Sequence, residues 1–200
     1  MSIANLPGMM VSERLGWPEL DRSYMTHPWM LRGWVLLMSL APPLLYAYSE
    51  TAHPGAIFPL SVPALTAGQL LTTGIVLYVM QLLMIGFFAM LIQRMALARD
   101  HDPGHEGALA LATVTATPLW LASFALLVPS PGFVLSMVML AVVASIALIY
   151  HGARPLLHIS DEHTAHYVAE TVTMTGIAAW IGLLLVAVVT LSIFQVWWNF

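Results

Sequence analysis

The sequence predicts an all-α integral membrane protein, a bundle of five transmembrane helices with a cytoplasmic N-terminus and an external C-terminus. Three observations predict it. The 200 residues are 60% hydrophobic and 8% charged, with a mean hydropathy of +0.84, whereas roughly a quarter of a soluble domain is charged. Five apolar runs each have roughly the 18 to 25 residues that cross a bilayer core as helix. The basic residues, all six of them arginine, sort cleanly by loop. Because the runs are continuous, with no sustained period of two, helices are favoured over a barrel.

Residues 1–28 precede the first run and form a cytoplasmic N-terminal segment. Its opening, MSIANLPGMMVSERLGWPELDRSY, has no basic n-region and no apolar core ahead of its charges, so it does not resemble a signal peptide. Two readings of it stand. It holds a short interfacial helix, with Pro18 in the first turn, Glu19 and Asp21 near the positive end, and Trp17, Leu20 and Tyr24 on one face. Alternatively it is a partly ordered tail. The membrane domain, residues 29–200, follows.

The first span runs over Trp29–Tyr48 and the second over Leu70–Ile92. The third covers Ala108–Val128, the fourth Phe133–Tyr150 and the last Thr173–Trp197. Arg14, Arg22 and Arg32 lie before or at the start of the first span. Arg94 and Arg99 lie between the second and third, and Arg154 between the fourth and fifth. The other side carries none, which sets the orientation by the positive-inside rule. Trp29 and Trp34 then belong to an inner aromatic belt, Trp197 and Trp198 to an outer one.

Several function classes are disfavoured. Spans two to five contain no Asp, Glu, Lys, Arg or His. An ionisable residue inside a span is the usual pointer to a proton or ion path. Arg32 sits close enough to the end of the first span to snorkel to the headgroups. No HExxH or GxSxG is present, leaving intramembrane hydrolysis without a motif. Cysteine is absent, which removes thiolate sites and disulfides. The net charge of −4 and the lack of a basic cluster argue against nucleic acid as partner. The partner that composition names is the lipid bilayer. Small residues at spacing four, Ala141 with Ser145 and Ala178 with Gly182, fit helix packing within the chain, or contact with a second copy or another membrane protein.

Two features remain as candidates. Pro118 sits in the third span behind Thr113, Thr115 and Thr117. It reads as a hinge or substrate-facing notch, or as a packing kink whose freed carbonyls the threonines satisfy. The second feature is YHGARPLLHISDEHTAHYVAETV, residues 150–172, which holds four of the eight histidines. On a helix, His163, His166 and Glu170 share one face and offer a donor set for zinc or another transition metal. The loop RDHDPGHEG adds His101 and His105 from the same side. Neither loop has a recognised metal-motif spacing. The expectation is therefore no bound metal and no cofactor, with Asp161 or Thr164 capping a short helix.

The same stretch carries a family resemblance. A span closing in YHGARP and a polar turn with an aromatic residue opening the next span resemble the Yip family of integral membrane proteins. Tyr150, Gly152 and Tyr167 match its motif, with Pro155 one place later than the family pattern. TATPLW, with Pro118, resembles the family's proline-containing middle span. The resemblance covers about residues 30–195. It implies five spans, and a structural rather than catalytic loop. Eukaryotic members are associated with Rab-type GTPases and carry a long cytoplasmic N-terminal region. The short segment here is closer to the small bacterial branch, in the cell inner membrane. The expected function is a non-enzymatic membrane scaffold or adaptor. The alternatives are a small permease or lipid-handling protein that uses the Pro118 kink, and a metal-dependent membrane enzyme that uses His163, His166 and Glu170.

Overall fold

The computed structural model describes residues 6–57 and 65–197. All regular structure in the described residues is helical. In chain order the helices are α1 (Leu6–Met9), α2 (Trp17–Thr26), α3 (Pro28–Met38), α4 (Ala41–Ala52), α5 (Ala67–Leu97), α6 (Gly104–Ala122), α7 (Pro131–Leu156) and α8 (Glu162–Trp197), with a 3-10 turn at Ser123–Leu127 after α6. Five helical segments are long and apolar enough to span a membrane. The outer belt pair falls partly outside the description, since Trp198 is not among the described residues.

Each expected span is present, with bounds altered for local reasons. The first is two helices, α3 and α4, parted at Ser39 and Leu40. Pro42 and Pro43 are consecutive, so the carbonyls of Met38 and Ser39 both lose their i+4 donor and the helix restarts, with a proline in its new first turn. α5 starts at a full capping box: Thr66 Oγ1 accepts from the Gln69 N–H at 3.3 Å, and Gln69 Oε1 accepts from the Thr66 N–H at 2.8 Å. α7 runs six residues past the expected end at Tyr150, through Leu156.

The largest change is at α8. The stretch expected to be a loop with a short helix of its own is the first part of a single 36-residue helix that begins at Glu162. Asp161 does cap it, as expected. Its carboxylate accepts from the Thr164 N–H at 2.8 Å and the Thr164 hydroxyl at 2.7 Å. Those two bonds hold the Asp161 carboxyl below its ordinary pKa.

α6 is the centre of the bundle. It packs against α5 and α7, and against α2 and α3. Its composition explains this, because a helix of Ala, Thr and Gly lets neighbouring backbones approach closely. α8 packs on α5 and α7 mainly through Ala165, Val168, Ala169 and Val172, all buried near its start.

Candidate functional site at the arginine end

The last turns of α7 carry Tyr150, Gly152 and Pro155. At Gly152 a Cβ would lie 2.3 Å from Trp17 Cη2, 2.6 Å from Trp17 Cζ3 and 2.8 Å from Leu111 Cδ1. No side chain fits there while the indole is in place. Trp17 is fully buried, and its Nε1 donates to the Met9 carbonyl at 3.1 Å, so the polar edge of the ring is satisfied where the ring is dry. Leu6, Met9 and Leu20 are buried with it. The N-terminal segment is therefore folded across one end of the bundle, with α1 on α7 and α2 on α3, α6 and α7. The expected helix exists at Trp17–Thr26, and Trp17 and Leu20 face protein rather than the bilayer surface. The side chain of Tyr24 lies outside the described residues.

An ion pair and a histidine–carboxylate contact flank the indole. Arg154 Nη1 lies 3.6 Å from Glu13 Oε2, and His158 Nε2 lies 3.5 Å from Asp21 Oδ1. His158 has φ 53°, in the left-handed region. It stops α7 at Leu156, while the Ile159 N–H turns back to the Arg154 carbonyl at 3.1 Å. Arg32 pairs with Glu106, tying the start of α3 to the start of α6. Arg99 stands 4.1 Å over the ring of Tyr167, at the start of α8. Tyr150 meets His166 edge-on, with ring centroids 6.0 Å apart. Arg32, Arg99 and Arg154 are thereby gathered at one end with the starts of α6 and α8, the arginine end.

His163, His166 and Glu170 are all exposed along α8. His166 Nδ1 lies 3.0 Å from the Glu162 carbonyl oxygen, and His101 Nδ1 lies 2.6 Å from that of Arg99. Among the described residues no group of three His, Asp or Glu side chains is placed to hold a metal ion.

Pro118 lies inside α6 and is buried. Thr113, Thr115 and Thr117 are buried too, with hydroxyls donating to the carbonyls of Leu109 (2.7 Å), Leu111 (2.9 Å) and Thr113 (2.9 Å) in their own helix. None of the three reaches Val114, whose carbonyl Pro118 leaves without its i+4 donor. The threonines thus satisfy other carbonyls than expected, and their hydroxyls face no lumen. The polar contact across the bundle here is Trp120 Nε1 donating to Gln81 Oε1 at 3.0 Å, both buried.

Sequence reasoning missed two residues. Gly152 was visible as a motif position, but what it faces was not, since Trp17 lies 135 positions away. Glu50 fell just past the expected end of the first span at Tyr48. The structure carries α4 on to Ala52 and leaves Glu50 only 4% exposed. The available signal was its helical spacing from Pro43 and Tyr46, buried on the same face.

A family model described as the Yip1 domain matches residues 8–183. The match takes in the N-terminal segment from residue 8, the first four span-length helices and the fifth as far as residue 183. No curated protein and no solved structure matches the chain.

Proposed function

The chain belongs to the Yip family of membrane proteins, and from that premise we propose that it is a non-enzymatic scaffold or adaptor whose working surface is the arginine end. One observation carries this reading. The mid-bundle polar side chains around Pro118 are used up in packing, whereas the arginine end presents charged and aromatic side chains at its surface. Arg99 on Tyr167 and Arg154 with Glu13 are half-exposed or exposed there. A protein partner reads such a surface through Arg and aromatic side chains more readily than through lipid-like ones.

In this reading the arginine end is cytoplasmic, following the positive-inside rule. In the same reading the chain is of the small bacterial branch and sits in the inner membrane. Residues 29–200 supply the membrane body, and the N-terminal segment supplies part of the surface.

The test is co-purification in mild detergent, with the untouched chain set beside a Tyr167→Ala, Arg99→Ala pair. A defined partner that is lost in the variant, while the variant elutes as a folded protein, is the expected result. Stoichiometric metal, removed by His163→Ala with His166→Ala, would replace this reading with the enzyme one. Bound lipid in place of any protein partner would replace it with the lipid-handling one.

A further inference from the structure

The contact between Trp17 and Gly152 joins positions 135 apart in the sequence, and it has a particular shape. The indole occupies the volume where any other residue would carry its Cβ, 2.3 Å from the nearest ring carbon. That is a key in a keyhole rather than a general apolar contact. Leu6, Met9 and Leu20 are buried beside the ring, and polar contacts lie at the rim of this small apolar patch. The ion pair Glu13–Arg154 and the contact Asp21–His158 join side chains between a quarter and a half exposed. Pairs of that exposure are weak and screened by salt. Both helices of the segment are short. At its far end α2 meets α3 through His27, at φ −138° and ψ 67°, outside helical geometry. A short element held by a small apolar patch keyed by one ring, with weak pairs at its rim and a non-helical joint at its end, has the properties of a unit that opens by itself below the threshold of global unfolding.

We propose that residues 6–26 form a strap that closes over the end of the α6–α7 pair, keyed by Trp17 in the Gly152 notch, and that opens as a unit about His27 while the five spans stay folded. Closed, it covers Gly152, Leu111 and the neighbouring end of α7. Open, it uncovers that notch and frees Arg154 and His158 from Glu13 and Asp21. The strap gates part of the surface assigned above to a partner, but its opening is independent of whether a partner exists. A failure of the strap test therefore leaves the adaptor reading where it stands.

The chain has no cysteine, so a single introduced thiol is the sole reporter. Leu20→Cys places it under the strap, where Leu20 is 6% exposed. Val168→Cys places it in the packed start of α8, where Val168 is 1% exposed. The rate of reaction with a water-soluble maleimide is measured for each in the full-length protein in mild detergent. Gly152→Ala should speed Leu20→Cys labelling by about tenfold or more, since the added methyl cannot coexist with the docked ring, and should leave Val168→Cys unchanged. In a Trp17→Leu background, where the key is gone, Gly152→Ala should add little. Raising salt from low to molar should speed Leu20→Cys labelling of the otherwise unaltered chain by roughly a few-fold, as exposed pairs are screened. Equal acceleration at both thiols would overturn the strap in favour of a loosened bundle. No acceleration at Leu20→Cys would show that the segment does not open as a unit. Should Gly152→Ala fail to fold, the salt series and the Trp17→Leu variant decide, and no effect of either on Leu20→Cys would sink the proposal.

Discussion

Helices α6 and α8 are both long apolar segments of one bundle, yet they occupy opposite environments. Of the most apolar stretch of α6, 67% of residues are buried inside the protein, against 6% for α8. The more hydrophobic of the two is α8, the one left outside. In water that would be inverted. In a bilayer, lipid tails are as apolar as leucine, so hydropathy no longer sorts helices into core and surface. What brings α6 to the centre is the set of small side chains in GHEGALALATVTATP, which lets α5 and α7 come close. Two glycines make the contrast concrete. A Cβ at Gly152, facing α6 and the N-terminal segment, would meet three atoms inside 2.8 Å, whereas a Cβ at Gly182 of α8 meets nothing within 4 Å. Of the two small-residue pairs in the sequence, Ala141 and Ser145 are buried within the chain, while Ala178 is exposed.

The sharpest way to break the comparison is truncation on each helix. Leu111 of α6 is fully buried and Leu185 of α8 is 60% exposed. Leu111→Ala should cost about 2–5 kcal/mol, as a cavity in a packed core does, and Leu185→Ala no more than about 0.5 kcal/mol. Thermal unfolding in detergent measures both. Equal losses would mean that α8 is packed where the structure leaves it open.

A smaller effect tests how α6 is joined to α5. Trp120→Phe keeps an aromatic ring, a smaller one, and removes the donor to Gln81, so that beyond the volume lost a buried amide oxygen is stranded at a cost of about 1 kcal/mol. Replacing Gln81 by Leu in the same protein should recover most of the cost of the stranded oxygen. If the single and double variants melt together, the bond carries no weight.

Smaller again is Pro118→Ala. The straightened helix regains an N–H for the Val114 carbonyl, and the threonines keep their own carbonyl partners. Stability should change by less than about 1 kcal/mol, since the bond regained and the packing lost oppose each other. A folded variant that fails to restore a deletion strain would show that the kink moves in use.

The smallest effect sits at the start of α8 and sharpens the claim that this helix is held there. The folded-state pKa of Asp161 is lowered from 3.8 by its bonds to Thr164. The stabilisation is therefore complete above about 3.8, the unfolded value, and fades as pH falls through the lower folded value. The side chain is exposed, so the effect is slight. The gap in melting temperature between the unaltered protein and Asp161→Ala should be constant from neutral pH to about pH 5 and close as the solution is acidified further. A gap that persists unchanged at pH 3 would rule out the carboxylate as its source.

Much of the fold was legible from residues alone. Five runs of apolar residues imply five helices, because a backbone in hydrocarbon must satisfy its own hydrogen bonds. Asp161 was legible as a cap, because capping is decided within four residues. The break at Ser39 and Leu40 could have been read from Pro42 and Pro43, whose effect is equally local. The continuity of α8 through HISDEHTAHYVAE was not legible, because polar residues near the headgroups end an apolar run without ending a helix. Nothing in one sequence could show that Trp17 rests on Gly152, or that α6 is the core and α8 the rim. Hydropathy measures a side chain against water, and it treats a lipid tail and a neighbouring helix as the same solvent. Only close packing, which depends on which small residues meet across the bundle, tells those two neighbours apart.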